Sequence, residues 1–179
     1  MAEAFSNQNT RAVGVVTTSS AGSIGVTTNL ITGISTTNVT VGDIVDNGQF
    51  IAGTKVSSIG VNSTTCDRDS TNTTAATSQS VKYLGLTTAY TSAASTKSIL
   101  IGGTFANNTN SQVNVTVAVY DNSATSEVAI ASKIPVPNGS SFVISDTGKT
   151  VLEALDGIRV YCDTANAIDV TLSILTGLS

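Results

Sequence analysis

Residues 113–121 read VNVTVAVYD, and residues 168–175 read IDVTLSIL. In the first stretch Val113, Val115, Val117 and Val119 alternate with Asn114, Thr116, Ala118 and Tyr120. In the second, Ile168, Val170, Leu172 and Ile174 take every other position. Successive side chains of an extended chain point to opposite faces, so one aliphatic row at a period of two predicts a half-buried antiparallel strand.

Working outward, KSILIGGTFANN (97–108), EVAIASKIPVP (127–137), SSFVISD (140–146) and DGIRVYCD (156–163) are further apolar-rich runs bounded by Asn, Asp, Gly or Pro. Strands at this spacing, joined by the turn formers of NNTNS (107–111), DNSATS (121–126) and PNGSS (137–141), predict two layered sheets. The expected fold class is all-β: an antiparallel β-sandwich, jelly-roll or immunoglobulin-like, with an inserted small β domain. Proline donates nothing to a strand ladder, so Pro135 and Pro137 mark a strand end or a sheet edge. Gly102-Gly103 precedes no helix and reads as a bulge or a close backbone approach, and a phosphate loop is excluded. VLEAL (151–155) is the one segment expected to make a helical turn.

The composition agrees. Apolar residues make up 40% of the 179 positions and charged residues only 11%, while 23 Ser, 29 Thr and 14 Asn supply the polarity. This mixture favours strands and turns over helices. The net charge is −4, and the eight basic residues are scattered from Arg11 to Arg159, so the basic stripe that nucleic-acid binding requires is missing and no nucleic-acid partner is expected. No apolar run approaches the ~18 residues of a membrane span. The opening MAEAFSNQNTRAVGVV lacks the basic-then-apolar order of a secretory signal, and no export is expected.

The first part of the chain is patterned differently. TTNLITGIS (27–35), VTVGDIVD (39–46), FIAGTKVSSIGV (50–61) and QSVKYLG (79–85) are short strand candidates with glycine at the corners, while STTCDRDSTNTTAATSQS (63–80) reads as a surface loop or a weak strand pair.

Histidine is the usual acid–base group near neutral pH, and there is none. No serine has a G-x-S-x-G setting. Asp67-Arg68-Asp69 beside Cys66 is the closest carboxylate cluster; it reads as a solvated loop with a local ion pair, against weak calcium binding. Asp43 and Asp46 lack further spaced oxygen ligands. Cys66 and Cys162 are expected to be small buried residues, too few for a zinc site. No enzyme activity, cofactor or metal is therefore expected, and no residue is assigned a catalytic, cofactor or metal role. Tyr83, Tyr90, Tyr120 and Tyr161 are candidate aromatic platforms for a sugar, or equally packing residues.

The order of elements in the later part, Tyr90-Thr91, the Asn-rich turn, the valine-alternating strand, IPVPNG, LEA, IRV and the closing AIDVTLSIL, resembles small β-sandwich virion proteins of tailed bacteriophages, particularly marine and cyanobacterial ones. In that family the opening strand leads quickly into the "Y-T" element. Here some seventy residues intervene, and NLITGISTTNVTVGDIV…IAGTKVSSI is similar to a small module of phage tail and fibre proteins. The resemblance implies residues 1–19 plus 85–179 as the sandwich and 20–84 as the inserted module. Where the family has glycine before aspartate, this chain has Leu155-Asp156-Gly157, which implies a changed turn. The implied role is a capsid decoration protein, made in the host cytoplasm and bound in many copies to the major capsid protein as a homo-oligomer, a trimer suiting threefold lattice positions. A neck, collar or tail accessory protein and a carbohydrate-binding adhesin module are the alternatives.

Overall fold

The computed structural model describes residues 3–144 and 149–178, and every element in them is a strand or a turn. In chain order the strands are β1 (Ala4–Val13), β2 (Val15–Ile24), β3 (Leu30–Thr32), β4 (Ile44–Asp46), β5 (Val56–Gly60), β6 (Ser63–Cys66) and β7 (Ala76–Gly85). They continue as β8 (Thr87–Thr91), β9 (Lys97–Asn107), β10 (Val113–Asp121), β11 (Ser126–Val136), β12 (Ser141–Ile144), β13 (Thr150–Leu152), β14 (Gly157–Cys162) and β15 (Ile168–Leu178). All their pairings are antiparallel.

The chain divides into two compact units, one made of Met1–Gly14 with Thr87–Ser179 and the other of Val15–Leu86. The boundary expected at 19/20 falls at Gly14, where a distant part of the chain comes close. Gly14 has φ 128°, and a Cβ there would stand 2.2 Å from the Thr164 carbonyl oxygen, so no other residue fits. The opening segment, expected as one strand of the sandwich, is broken at this glycine: β1 pairs with β15, and residues 15–19 pair with β7 instead.

The two-segment unit is a β-sandwich. One sheet has the order β1-β15-β9-β12, with β13 also on β9, and the other β11-β10-β14-β8. The alternating rows read from the sequence face each other: Val113, Val115 and Val117 of β10 and Ile158, Val160 and Cys162 of β14 share a core with Leu100 and Phe105 of β9 and Ile168, Val170, Leu172 and Ile174 of β15. Fully burying such a side chain is worth roughly 1.5–3 kcal/mol. Phe105 and Phe142 add a tilted ring pair with centroids 5.7 Å apart.

The two glycines of β9 act in both expected ways. Gly102 pairs with Ser173 and Leu100 with Ile174, leaving Ile101 as an extra bulged residue, while a Cβ on Gly103 would meet the Leu172 side chain at 2.7 Å. Proline falls where a missing donor is harmless, since β11 is an edge strand ending at Val136. The last part of SSFVISD, residues 145–146, lies outside the described residues.

Asn107, at the end of β9, anchors the turns. Its amide nitrogen donates to the carbonyls of Ser111, Val136 and Pro137, and its oxygen accepts from the Thr109 N–H and hydroxyl.

The helical turn expected at 151–155 does not form. Thr150, Val151 and Leu152 pair with Leu100, Ile99 and Ser98 of β9, and Leu152 is fully buried, so burial on a sheet edge overrides the local propensity of a short Leu-Glu-Ala run. The chain then turns through Leu155 at φ 68°. The buried Asp156 carboxylate holds this corner, accepting from the backbone N–H of Asn122 and of Glu153.

The continuous unit, Val15–Leu86, is a six-stranded sheet ordered β4-β7-β2-β3-β6-β5. Its two ends meet: Val45 N–H donates to Thr54 O at 2.8 Å, Val56 N–H to Asp43 O at 2.9 Å and Gly42 N–H to Val56 O at 2.9 Å. The sheet thereby closes into a small barrel around Ile24, Ile31, Ile34, Val45, Phe50, Val56, Val81 and Tyr83. Of the four runs expected here QSVKYLG is strand throughout, as part of β7, while the other three are strand only in short pieces, at Leu30–Thr32, Ile44–Asp46 and Val56–Gly60. In the unpatterned 63–80 stretch, β6 and the start of β7 flank a loop.

Leucine in the left-handed region costs about 1–2 kcal/mol, more than the roughly 0.5–1 kcal/mol that glycine loses in chain entropy. Leu155 is also 43% exposed and contributes little packing. Leu155→Gly is therefore expected to raise stability in urea denaturation by about 0.5–1 kcal/mol; an unchanged or lowered midpoint would show that the Leu155 side chain, not its backbone, dominates this corner.

Candidate functional site

The residues singled out by their chemistry are turned to structural use. Asp43 is buried and accepts from the Thr40 N–H at 2.9 Å and hydroxyl at 2.7 Å, closing a turn before β4. Asp67, Arg68 and Asp69 are exposed, with an Asp67 oxygen accepting from the Lys55 N–H at 2.8 Å. Asp46 pairs in register with Lys82. Among the described residues no three His, Cys, Asp or Glu side chains converge as a metal site would require.

Both thiols are buried, Cys66 in the barrel and Cys162 in the sandwich core. Burial first, and then the neighbouring Asp67 or Asp163, pushes each from 9.0 up to about 12. These are neutral packing groups, since the thiolate is the reactive form.

The tyrosines do not form open platforms. Tyr83 is fully buried and shares a 3.0 Å hydrogen bond with the Thr64 hydroxyl. Burial raises its phenol from 10.0 to about 12, against the lowering effect of the Thr64 bond. Tyr90 packs on the sandwich core and bonds the Ser98 hydroxyl at 2.8 Å.

Tyr120 and Tyr161 do lie opposite their strands' apolar rows, as alternation requires, yet Tyr161 is only 1% exposed. The cause is a cluster on the outward face of the β11-β10-β14-β8 sheet. Small Ala118 lies between strands β11 and β14, opposite Ala129 and Arg159, and leaves room for Glu127 of β11 to reach across β10. There its carboxylate meets the Arg159 guanidinium and accepts from the Tyr161 hydroxyl at 3.0 and 2.9 Å. Arg159 in turn lies 3.4 Å from the centre of the Tyr120 ring. The Glu127 side chain is 6% exposed and that of Arg159 24%. Arg159 covers one face of the half-buried Tyr120 ring, and Tyr161 is buried. No sequence period signals this cluster, because its members come from three strands.

What remains as a candidate functional site is the molecular exterior and its strand edges. The barrel joins its two sheet ends. The sandwich keeps edges at β11, β8, β12, β13 and β1. β11 is blunted by Lys133, Pro135 and two register shifts. β8, β12 and β13 have three to five residues. β1 has ten, AFSNQNTRAV, with no charge or proline before Arg11, and its residues before Val13 are exposed or half-buried.

Comparison with known proteins brings no relative: no family model, no curated protein and no solved structure matches this chain.

Two predictions follow from these groups. Because the folded chain holds the protons of Cys66, Cys162 and Tyr83 to about 12 while the unfolded chain releases the thiol protons near 9.0 and the phenol proton near 10.0, their contribution to stability is complete below pH 9 and declines as pH rises toward 12. Denaturation midpoints measured across that window should fall, and Cys162→Ala should make the fall shallower. Separately, Arg159→Met removes the guanidinium from the buried Glu127 carboxylate and should cost about 3 kcal/mol. Adding Glu127→Gln, which removes the charge and still accepts from Tyr161, should recover most of that loss in the same urea titration.

Proposed function

We propose that this chain is a non-enzymatic structural protein of a tailed-phage particle, a decoration protein held in many copies on the outside of the capsid shell. The observation that carries this reading is the character of the exterior: a charge-poor surface of Ser, Thr and Asn on a rigid sandwich, with a ten-residue edge strand left unprotected. Charged groups must be desolvated at each contact, whereas hydroxyls and amides pair readily with backbone groups, so such a surface suits repeated docking. The order of motifs shared with small phage β-sandwich proteins supports the same assignment. Contacts of ordinary size, roughly 1,600 Å², become a large total when repeated over a shell. The second, barrel-shaped unit is then a module carried by the sandwich.

The direct test is co-sedimentation of the purified chain with DNA-free shells of the phage whose genome encodes it, followed by thermal challenge of the decorated and bare shells. Saturable binding that raises the disruption temperature is expected. Binding confined to neck or tail fractions, glycan binding without shell binding, or turnover of a substrate would each replace the reading.

A further inference from the structure

We propose that β1 pairs with β1 of a second copy of this chain, joining two sandwiches edge to edge across a twofold axis at Asn7. This goes beyond the functional reading above and does not depend on it.

The exposed run Ala4–Thr10 pairs with β15 residue for residue, from Ala4 opposite Thr176 to Thr10 opposite Val170, and the register breaks only after Thr10. It is thus a straight strand with one ladder edge formed and the other without a strand partner, the Thr10 hydroxyl alone donating to the Ala89 carbonyl of β8, and an open edge is completed by another extended strand.

Charge selects both the partner and the register. The two charges of this part of the chain, Glu3 and Arg11, lie at opposite ends of the run and are exposed. Antiparallel self-pairing centred on Asn7 sets Glu3 against Arg11 of the second copy, and Arg11 against its Glu3. The same register sets Ala4 against Thr10, Phe5 against Asn9 and Ser6 against Gln8, so the whole straight run is used, with Glu3 just before it and Arg11 at the start of the bulge that ends it. Opposite charges facing across a strand pair stabilise it.

Two further features of the lone chain fit this partner. Phe5 is 79% exposed; it lies on the outward face of β1, opposite Leu175, where Asn9 and the Arg11 stem of the second copy would cover it. Ser6 Oγ is enclosed without a hydrogen-bond partner, and the Gln8 amide of the second copy comes opposite Ser6.

Disulfide trapping reads this register. Cα atoms of residues directly opposite in an antiparallel pair are about 4.5–5.5 Å apart, within disulfide range, so Asn7→Cys in the full chain should form a linked dimer on mild oxidation. Asn9→Cys, whose copies would be roughly 13 Å apart, should not. The buried native cysteines stay in place. In sedimentation equilibrium the unmodified chain should be a dimer, and Glu3→Arg should weaken it about tenfold because two facing pairs change sign together. Adding Arg11→Glu should restore it, and unchanged far-ultraviolet circular dichroism should accompany every variant. A monomer at high micromolar concentration, a dimer indifferent to Glu3→Arg, linkage through Asn9→Cys in place of Asn7→Cys, or an edge occupied only by an extended segment of a different protein would overturn the proposal.

Discussion

Two rows of aliphatic side chains facing each other across the sandwich hold the larger unit in place: Val113, Val115, Val117, Ile158 and Val160 on one sheet, Ile168, Val170, Leu172 and Ile174 on the other. Ordering a residue's backbone costs about 1–2 kcal/mol and burying one such side chain returns about as much, so the rows must be nearly unbroken. Everything polar near them must then be satisfied. Asn107 and Asp156 do this by collecting the backbone groups of the turns that β9, β10 and β14 require.

The two units treat the exposed backbone of their strands in opposite ways. The barrel joins its two end strands by bonding residues 42–45 to the 54–56 segment. The sandwich cannot do so, because its two layers are held by side chains alone. One of its long edges, β11, is spoiled by proline, lysine and bulges, while the other, β1, stays regular from Ala4 to Thr10. An unprotected edge is a hazard in a solitary protein and an asset in one that assembles.

Low charge has a further consequence. With few ionic groups available, the ones that are buried must be matched closely, and Glu127 and Arg159 are matched to each other and to two tyrosines. The hydrogen bonds of this cluster also involve Tyr161, which alternation points outward yet which is buried.

Much of this was legible in single stretches of sequence. The period-two rows of 113–121 and 168–175, the glycine pair at 102–103 and the prolines at 135 and 137 each state a local rule, the side to be buried, the place of a bulge, the end of a ladder, and such rules hold whichever strand becomes the neighbour. What the tertiary structure alone decided depends on groups far apart in the chain. The glycine at 14 is required by the Thr164 carbonyl, β13 is a strand because β9 is there to pair with it, Tyr161 is buried with its hydroxyl on Glu127 of β11, and the barrel closes because β4 returns to the 54–56 segment. Side-chain periodicity records which face of a strand is apolar; it does not record what arrives to cover the other face or the open edge.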